Sequence, residues 1–222
     1  HGVSSLFLSY LLEQTVRDEL QKCAIVGQDD LTARALLENA KMMRDSLPWE
    51  LPTKFDNRSV LHFGRPINGF IDVLSAKSRH VGRGKHYRAM HMTEVAFWPQ
   101  PEETFIALSQ TVPHTTGTFL TVETTASGAG GWFHDFFWDA WRGKSDFTAL
   151  FFPWFWDPEL QIPTAGEERK RLRDGLDGAE KALREKGVSL EQLRWRRWAI
   201  QNLCAGSLDM FHQEYPSSPE EA

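Results

Sequence analysis

The sequence predicts an α/β protein built on a mainly parallel twisted sheet flanked by helices, with a helical appendage after it. Three observations carry that prediction. Short apolar runs alternate with segments of helical spacing along residues 1–156, the alternation expected of parallel strands joined by crossovers. Two of the runs, His86-Tyr-Arg-Ala-Met-His-Met-Thr-Glu94 and Gly117-Thr-Phe-Leu-Thr-Val122, lead directly into polar clusters. Ligands of open parallel sheets gather beyond the carboxyl ends of the strands, so both clusters are expected to border one crevice. From Asp157 the character changes: Pro158, Pro163 and Gly166 open a charged helical stretch, which sets a boundary between residues 1–156 and 157–222.

The elements follow in order. Leu6, Leu8, Leu11, Leu12 and Val16 recur at helical spacing over residues 4–17, and the apolar run Cys23-Ala-Ile-Val26 ends at Gly27 as a buried strand does. Asp29 or Asp30 is placed to cap a helix that stops before Pro48. Ser59-Val-Leu-His-Phe63 and Gly69-Phe-Ile-Asp-Val-Leu74 read as a hairpin or two successive strands, with Gly64 and Pro66 between them. The run from His86 to Glu94 is the next strand; residues 102–111 are expected to be helical, 117–125 extended and 130–142 helical, with Phe147-Thr-Ala-Leu-Phe-Phe152 as a further strand. Residues 167–186 form a charged helical stretch stopped by Gly187. Ser189-Leu-Glu-Gln192 then has the form of a capping box, opening a helix whose apolar face, Leu193, Ile200 and Leu203, lies among Arg194, Arg196 and Arg197.

Composition narrows the classes. The 222 residues are 41% hydrophobic with nine Trp and fifteen Phe, ample for a core and contrary to disorder. No apolar run reaches the roughly 18 to 20 residues that span a bilayer, and no basic flank or cleavage site marks a leader, so a soluble protein is expected. A net charge of −5 excludes a globally basic nucleic-acid binder and leaves room for a local basic stripe. Cys23 and Cys204 are far apart and lack metal-ligand spacing, which fits two buried, reduced thiols.

Several residues have chemistry to offer. Gly2-Val-Ser-Ser5 opens a helix, where unpaired amides and the positive dipole end suit a phosphate and a small hydroxyl suits Mg²⁺; the plainer reading makes Ser4 an ordinary N-cap. Glu94 follows an apolar strand, where a carboxylate orients water for attack on a terminal phosphate, or else caps a helix or pairs with an Arg. Glu123, Thr124 and Thr125 end the next strand, with hydroxyls placed to sense that phosphate. Arg79, Arg83 and Lys85, with Gly82 and Gly84, form a basic loop suited to neutralising transition-state charge, to contacting a phosphate backbone, or simply to solvation. His86, His91 and Glu94 do not share a strand face, which disfavours a zinc site. No Gly-x-Ser-x-Gly elbow supports a serine hydrolase. The run Phe151-Phe-Pro-Trp-Phe-Trp156 reads as core before it reads as a base-stacking platform.

Taken together, Gly82-Arg-Gly84 leading into Met90-His-Met-Thr-Glu-Val-Ala-Phe-Trp98, then Glu123-Thr-Thr-Ala-Ser-Gly128, Phe151-Phe-Pro-Trp-Phe155, Gln192-Leu-Arg-Trp-Arg-Arg197 and the Phe211-His-Gln-Glu-Tyr-Pro tail resemble, over nearly the whole chain, the ATPase domain of the large terminase subunit, the DNA-packaging motor of tailed bacteriophages. The resemblance implies a P-loop NTPase using ATP and Mg²⁺, with Gly2, Val3, Ser4 and Ser5 at the end of a phosphate loop and Ser4 on the Mg²⁺. It implies Glu94 as catalytic glutamate, Arg83 as arginine finger, and Thr124 and Thr125 in the motif that couples hydrolysis to movement. It further implies double-stranded DNA, a portal protein and a small terminase subunit as partners, a homo-oligomeric ring and no membrane, in the cytoplasm of an infected host.

Two departures stand out: Val3 occupies the position of the usual phosphate-loop Lys, and Thr93 that of the Asp commonly preceding the glutamate. The resemblance also implies that the strand feeding the phosphate loop and the adenine-binding segment precede residue 1, that residues 157–222 are a lid or linker leading to a nuclease domain, and that these residues by themselves hydrolyse ATP weakly or not at all. The alternative readings are a helicase-like ATPase and a nucleotide-independent structural or DNA-binding module that contacts its partner through Arg194, Arg196 and Arg197.

Overall fold

Four consecutive residues of the first predicted strand, Cys23 to Val26, are excluded from solvent, so that strand is covered on both faces as a parallel strand must be. In the computed structural model, which describes residues 2–78, 82, 84–128 and 130–222, it is β1 (Lys22–Gly27), following α1 (Gly2–Arg17). Then come α2 (Asp30–Asp45), β2 (Thr53–Asp56), β3 (Val60–Phe63), β4 (Phe70–Ser75), β5 (Ala89–Met92), a 3-10 turn at Val95–Phe97, α3 (Pro101–Ser109) and β6 (Phe119–Val122). The six strands form one sheet in the order β2-β3-β4-β1-β5-β6. β4, β1, β5 and β6 are mutually parallel, whereas β2 and β3 add an antiparallel edge.

Period-two alternation decides which residues meet which helix. Cys23, Ile25, Ile71 and Ala89 point into one core with Leu8, Leu11 and Leu12 of α1 and Ala33 and Leu37 of α2. Ala24, Val26, Met90 and Met92 point into the other, with Tyr87, Val95, Trp98 and Leu108. Gly27 is required where β1 turns into α2, because a β-carbon there would collide with the backbone nitrogen of Ala33. Asp29 is the residue that caps α2, accepting from the Thr32 amide at 3.0 Å.

The chain divides into two compact units, one of residues up to 124 with 131–133, the other of 125–130 with 134–222, so the division falls ahead of the expected boundary at 156/157. α4 (Trp132–Trp141) is the helix expected over 130–142. The expected strand over 147–152 is not formed: among the described residues the second unit has no strand to pair with, and Pro153 leads into a 3-10 turn at Trp154–Trp156. The charged stretch is two helices, α5 (Gly166–Asp174) and α6 (Gly178–Glu185), because Gly175 ends the first and an Asp177–Glu180 capping box starts the second. α7 (Leu190–Asn202) opens on the Ser189–Gln192 box, and α8 (Leu208–Glu214), not expected, is started by Ser207.

Trp154 enters the core of this unit, stacked on Trp195 at 5.4 Å between ring centroids, with Phe211, Leu183 and Leu193 around it. The arginines of α7 turn out to be used within it. Arg197 grips the buried Glu180 with two bonds of 2.6 Å, Arg194 pairs with Glu168 at 2.7 Å, and Arg196 lies buried with its guanidinium 5.3 Å from the Phe211 ring centroid. Arg194 and Arg197 thus make ion pairs within this unit while both stay partly exposed. Removing one member of a buried pair strands the other charge. Arg197→Ala is accordingly expected to lower the unfolding free energy of this unit by about 2 to 3 kcal/mol, the low end of that class because Arg197 is partly exposed; denaturation followed by Trp fluorescence reads it.

Candidate functional site

β5 and β6 pair in parallel with Met92 opposite Val122, so the next residues of each, Thr93 and Glu123, leave the sheet at the same level. The pairing is held one step further by the Glu123 amide, which donates to the Met92 carbonyl at 2.9 Å. By alternation, His91 and Thr93 of one strand and Thr121 and Glu123 of the other fall on the face that α1 covers. α1 is fixed there through Phe7, whose ring lies 5.3 Å from that of His91 and 6.2 Å from that of Phe119. This placement brings the first turn of α1 over the strand tips.

The result is a polar cluster centred on one carboxylate oxygen. Ser4 Oγ donates to Glu123 Oε1 at 2.5 Å, and Thr93 Oγ1 donates to the same oxygen at 3.0 Å. Beneath them His91 is wholly buried, with Nδ1 2.9 Å from Thr121 Oγ1. Its Nε2 lies 3.3 Å from Glu123 Oε1 and has no hydrogen-bond partner. Burial pushes the Glu123 carboxyl upward, but the His91 imidazole and the Ser4 and Thr93 hydroxyls outweigh it and hold the group below the ordinary carboxylate range.

Gly2, Val3, Ser4 and Ser5 all lie in the first turn of α1, where backbone amides have no partner within the helix. Because Ser4 donates its proton to Glu123, the lone pairs of its oxygen remain available to a cation. The arrangement fits the metal side of a phosphate site; Val3 supplies no charge for the phosphate side. Among the described residues no group of three or more His, Cys, Asp or Glu side chains is arranged to hold a metal by itself.

Glu94 is placed differently from the expectation of an acid at the end of a continuous strand. β5 stops at Met92, and Glu94 adopts a left-handed conformation, φ 56°, at the head of the 3-10 turn. The carboxylate bonded to Ser4 is that of Glu123, two residues after the strand residue opposite His91. Thr124 ties the two tips together: its Oγ1 accepts from the Ala96 amide at 3.4 Å, while the Val95 amide donates to the Glu123 carbonyl at 3.3 Å. Thr125 is exposed. Arg83 and Arg79 lie outside the described residues; Lys85, from the same basic loop, pairs with Asp72 at 2.7 Å, and Asp72 also accepts from the Tyr87 hydroxyl at 2.9 Å. Sequence reasoning passed over His91, Thr93 and Glu123 as one constellation, although their signal is there: polar residues at every second position at the ends of two strands.

The fold is that of the ATPase domain of phage large terminases. The large terminase of bacteriophage HK97 superposes over 97% of this chain and 44% of its own, with a TM-score of 0.60 and 14% identity. The large terminase of a thermophilic bacteriophage, solved in complex with ADP, covers 77% of this chain and 41% of its own, with a TM-score of 0.55 and 18% identity. The ATPase domain of the large terminase of Thermus phage P74-26 gives 0.50 and 19% over 64% of this chain and 62% of its own. The chain thus spans less than half the length of the first two of these proteins, and identities this low speak to fold alone. No protein-family model and no curated protein sequence matches it. Among the described residues no helix is long and apolar enough to cross a membrane.

A non-glycine residue in the left-handed region carries steric strain, and such strain gathers at working sites. Glu94→Gly is therefore expected to be more stable than Glu94→Ala by about 1 kcal/mol, since only Ala keeps the offending β-carbon. Thermal denaturation of the two variants compares them directly.

Proposed function

We propose that the chain is the ATPase part of a viral DNA-packaging motor, coupling ATP hydrolysis to the translocation of double-stranded DNA into a capsid. The observation that carries this reading is the Ser4–Glu123 contact, which sets the amino end of α1 against the carboxyl ends of β5 and β6 in a fold shared with large terminases, one of them solved with ADP. Helix amides and a hydroxyl converging on a carboxylate at strand tips are what a magnesium nucleotide requires.

In this reading the first-turn amides of α1 and the Ser4 hydroxyl bind and orient the phosphates. Mg²⁺ bound beside Ser4 supplies positive charge to the phosphate oxygens. Glu94 orients the attacking water and takes its proton, and its left-handed backbone sets where that carboxylate starts from. Thr124, bonded to the backbone just after Glu94, links the phosphate end of β6 to that turn and so transmits the loss of the terminal phosphate, with Thr125 continuing the motif. Arg83 offsets phosphoryl charge in a neighbouring subunit of a homo-oligomeric ring. That ring docks on a portal protein, receives DNA with a small terminase subunit, and works in the cytoplasm of the infected host.

Glu94→Gln in the full-length protein is expected to lower ATP hydrolysis at least ~100-fold, the span of general-base catalysis, while nucleotide affinity stays within about threefold. A wild-type protein that binds no nucleotide in the presence of Mg²⁺ removes the motor reading altogether. Arg83→Ala is expected to lower DNA-stimulated hydrolysis by roughly 1,000-fold if the residue acts as an arginine finger, measured as phosphate release; unchanged turnover takes Arg83 out of the mechanism.

A further inference from the structure

We propose that Glu123 is the positioning carboxylate of the Mg²⁺ and phosphate site: it holds the Ser4 hydroxyl with its lone pairs turned toward the metal, and Thr93 and His91 hold it in turn. The proposal rests on the ATPase reading above. It assigns to the tip of β6 a task for which β5 offers no acid before Glu94, since the residue following Met92 is Thr93.

Three observations converge on it. First, Ser4 donates its proton to Glu123 at 2.5 Å, and a serine that donates to a carboxylate presents only acceptor density in its remaining directions. That is the state in which a hydroxyl ligates a hard cation. Second, Thr93, Ser4 and His91 all address Oε1 of the carboxylate, at 3.0, 2.5 and 3.3 Å, which fixes its rotation and leaves Oε2 outside this set of contacts. Third, His91 Nε2 is a buried nitrogen without a hydrogen-bond partner, on a ring sealed from solvent, and it lies 3.3 Å from this carboxylate. Its other nitrogen is already anchored by Thr121, which holds the ring with Nε2 beside Glu123. A core that needed only to fasten α1 to the sheet is better served by an apolar side chain at this position, where Phe7 already packs. The retained polar column from Thr121 through His91 to Glu123 and Ser4 instead orients one oxygen at the sheet edge.

A carboxylate that merely fastens α1 and one that positions a metal ligand differ in what they do to metal linkage. ADP affinity of the full-length protein is measured by calorimetry with Mg²⁺ and again with EDTA. For the wild type the ratio is expected to be at least tenfold in favour of Mg²⁺. Glu123→Gln, nearly identical in shape, is expected to bring that ratio to within twofold of unity. Ser4→Ala should lower the ratio likewise and Ser4→Thr should restore the wild-type ratio, which keeps the test open if Glu123→Gln does not fold. Folded Glu123→Gln and Ser4→Ala proteins that both retain the full Mg²⁺ ratio overturn the assignment of Glu123 and leave the ATPase reading standing. A wild type that binds no ADP in either condition overturns that reading, and this proposal with it.

Discussion

One short hydrogen bond, from the Ser4 hydroxyl to the Glu123 carboxylate, fixes the first helix against the strand tips. The two groups that it joins come from residues more than a hundred positions apart. The bond is short because the acceptor is charged and partly withdrawn from water. Thr93 and His91 lie against the same oxygen, at 3.0 and 3.3 Å. The aromatic contact of Phe7 with His91 and Phe119 supplies the non-directional share of the same attachment.

The sheet makes that attachment possible by burying both of its faces. β1 lies between two parallel neighbours and alternates its side chains into two cores, so α1 and α2 on one side and α3 on the other are pressed against a single layer. A parallel arrangement points the tips of β4, β1, β5 and β6 the same way, so polar residues just past the strands accumulate at one edge. At the opposite margin the β2–β3 hairpin is held to α2 by Asp56, which takes Lys41 at 2.8 Å and Arg44 at 2.7 Å.

Local rules are legible in the sequence where the interaction itself is local. Asp29 at the start of α2 and the Ser189–Gln192 box of α7 are decided within four residues, and both helices start where those residues place them. The buried run of β1 is equally plain from its apolar residues. Other elements depend on what stands next to them. Phe147 to Phe152 has strand-like composition and no strand beside it, while Thr53–Asp56 is a strand that is wholly exposed, so neither its composition nor its alternation announces it. Glu123 is hidden for a similar reason: its importance follows from the register of β5 against β6, a fact about two segments thirty residues apart. Glu94 is found by its place after an apolar run, yet the run ends two residues early and the backbone reverses hand there, which no periodicity encodes.

The paired bonds between the two tips have a mechanical meaning. Thr124 holds the amide of Ala96 while the carbonyl of Glu123 holds the amide of Val95, so the end of β6 and the turn that begins at Glu94 behave as a single lever with two grips. Tilting one grip necessarily drags the other. Ser4 is thus joined to the turn in two steps, by its bond to the Glu123 side chain and by the bond of the Glu123 carbonyl to Val95.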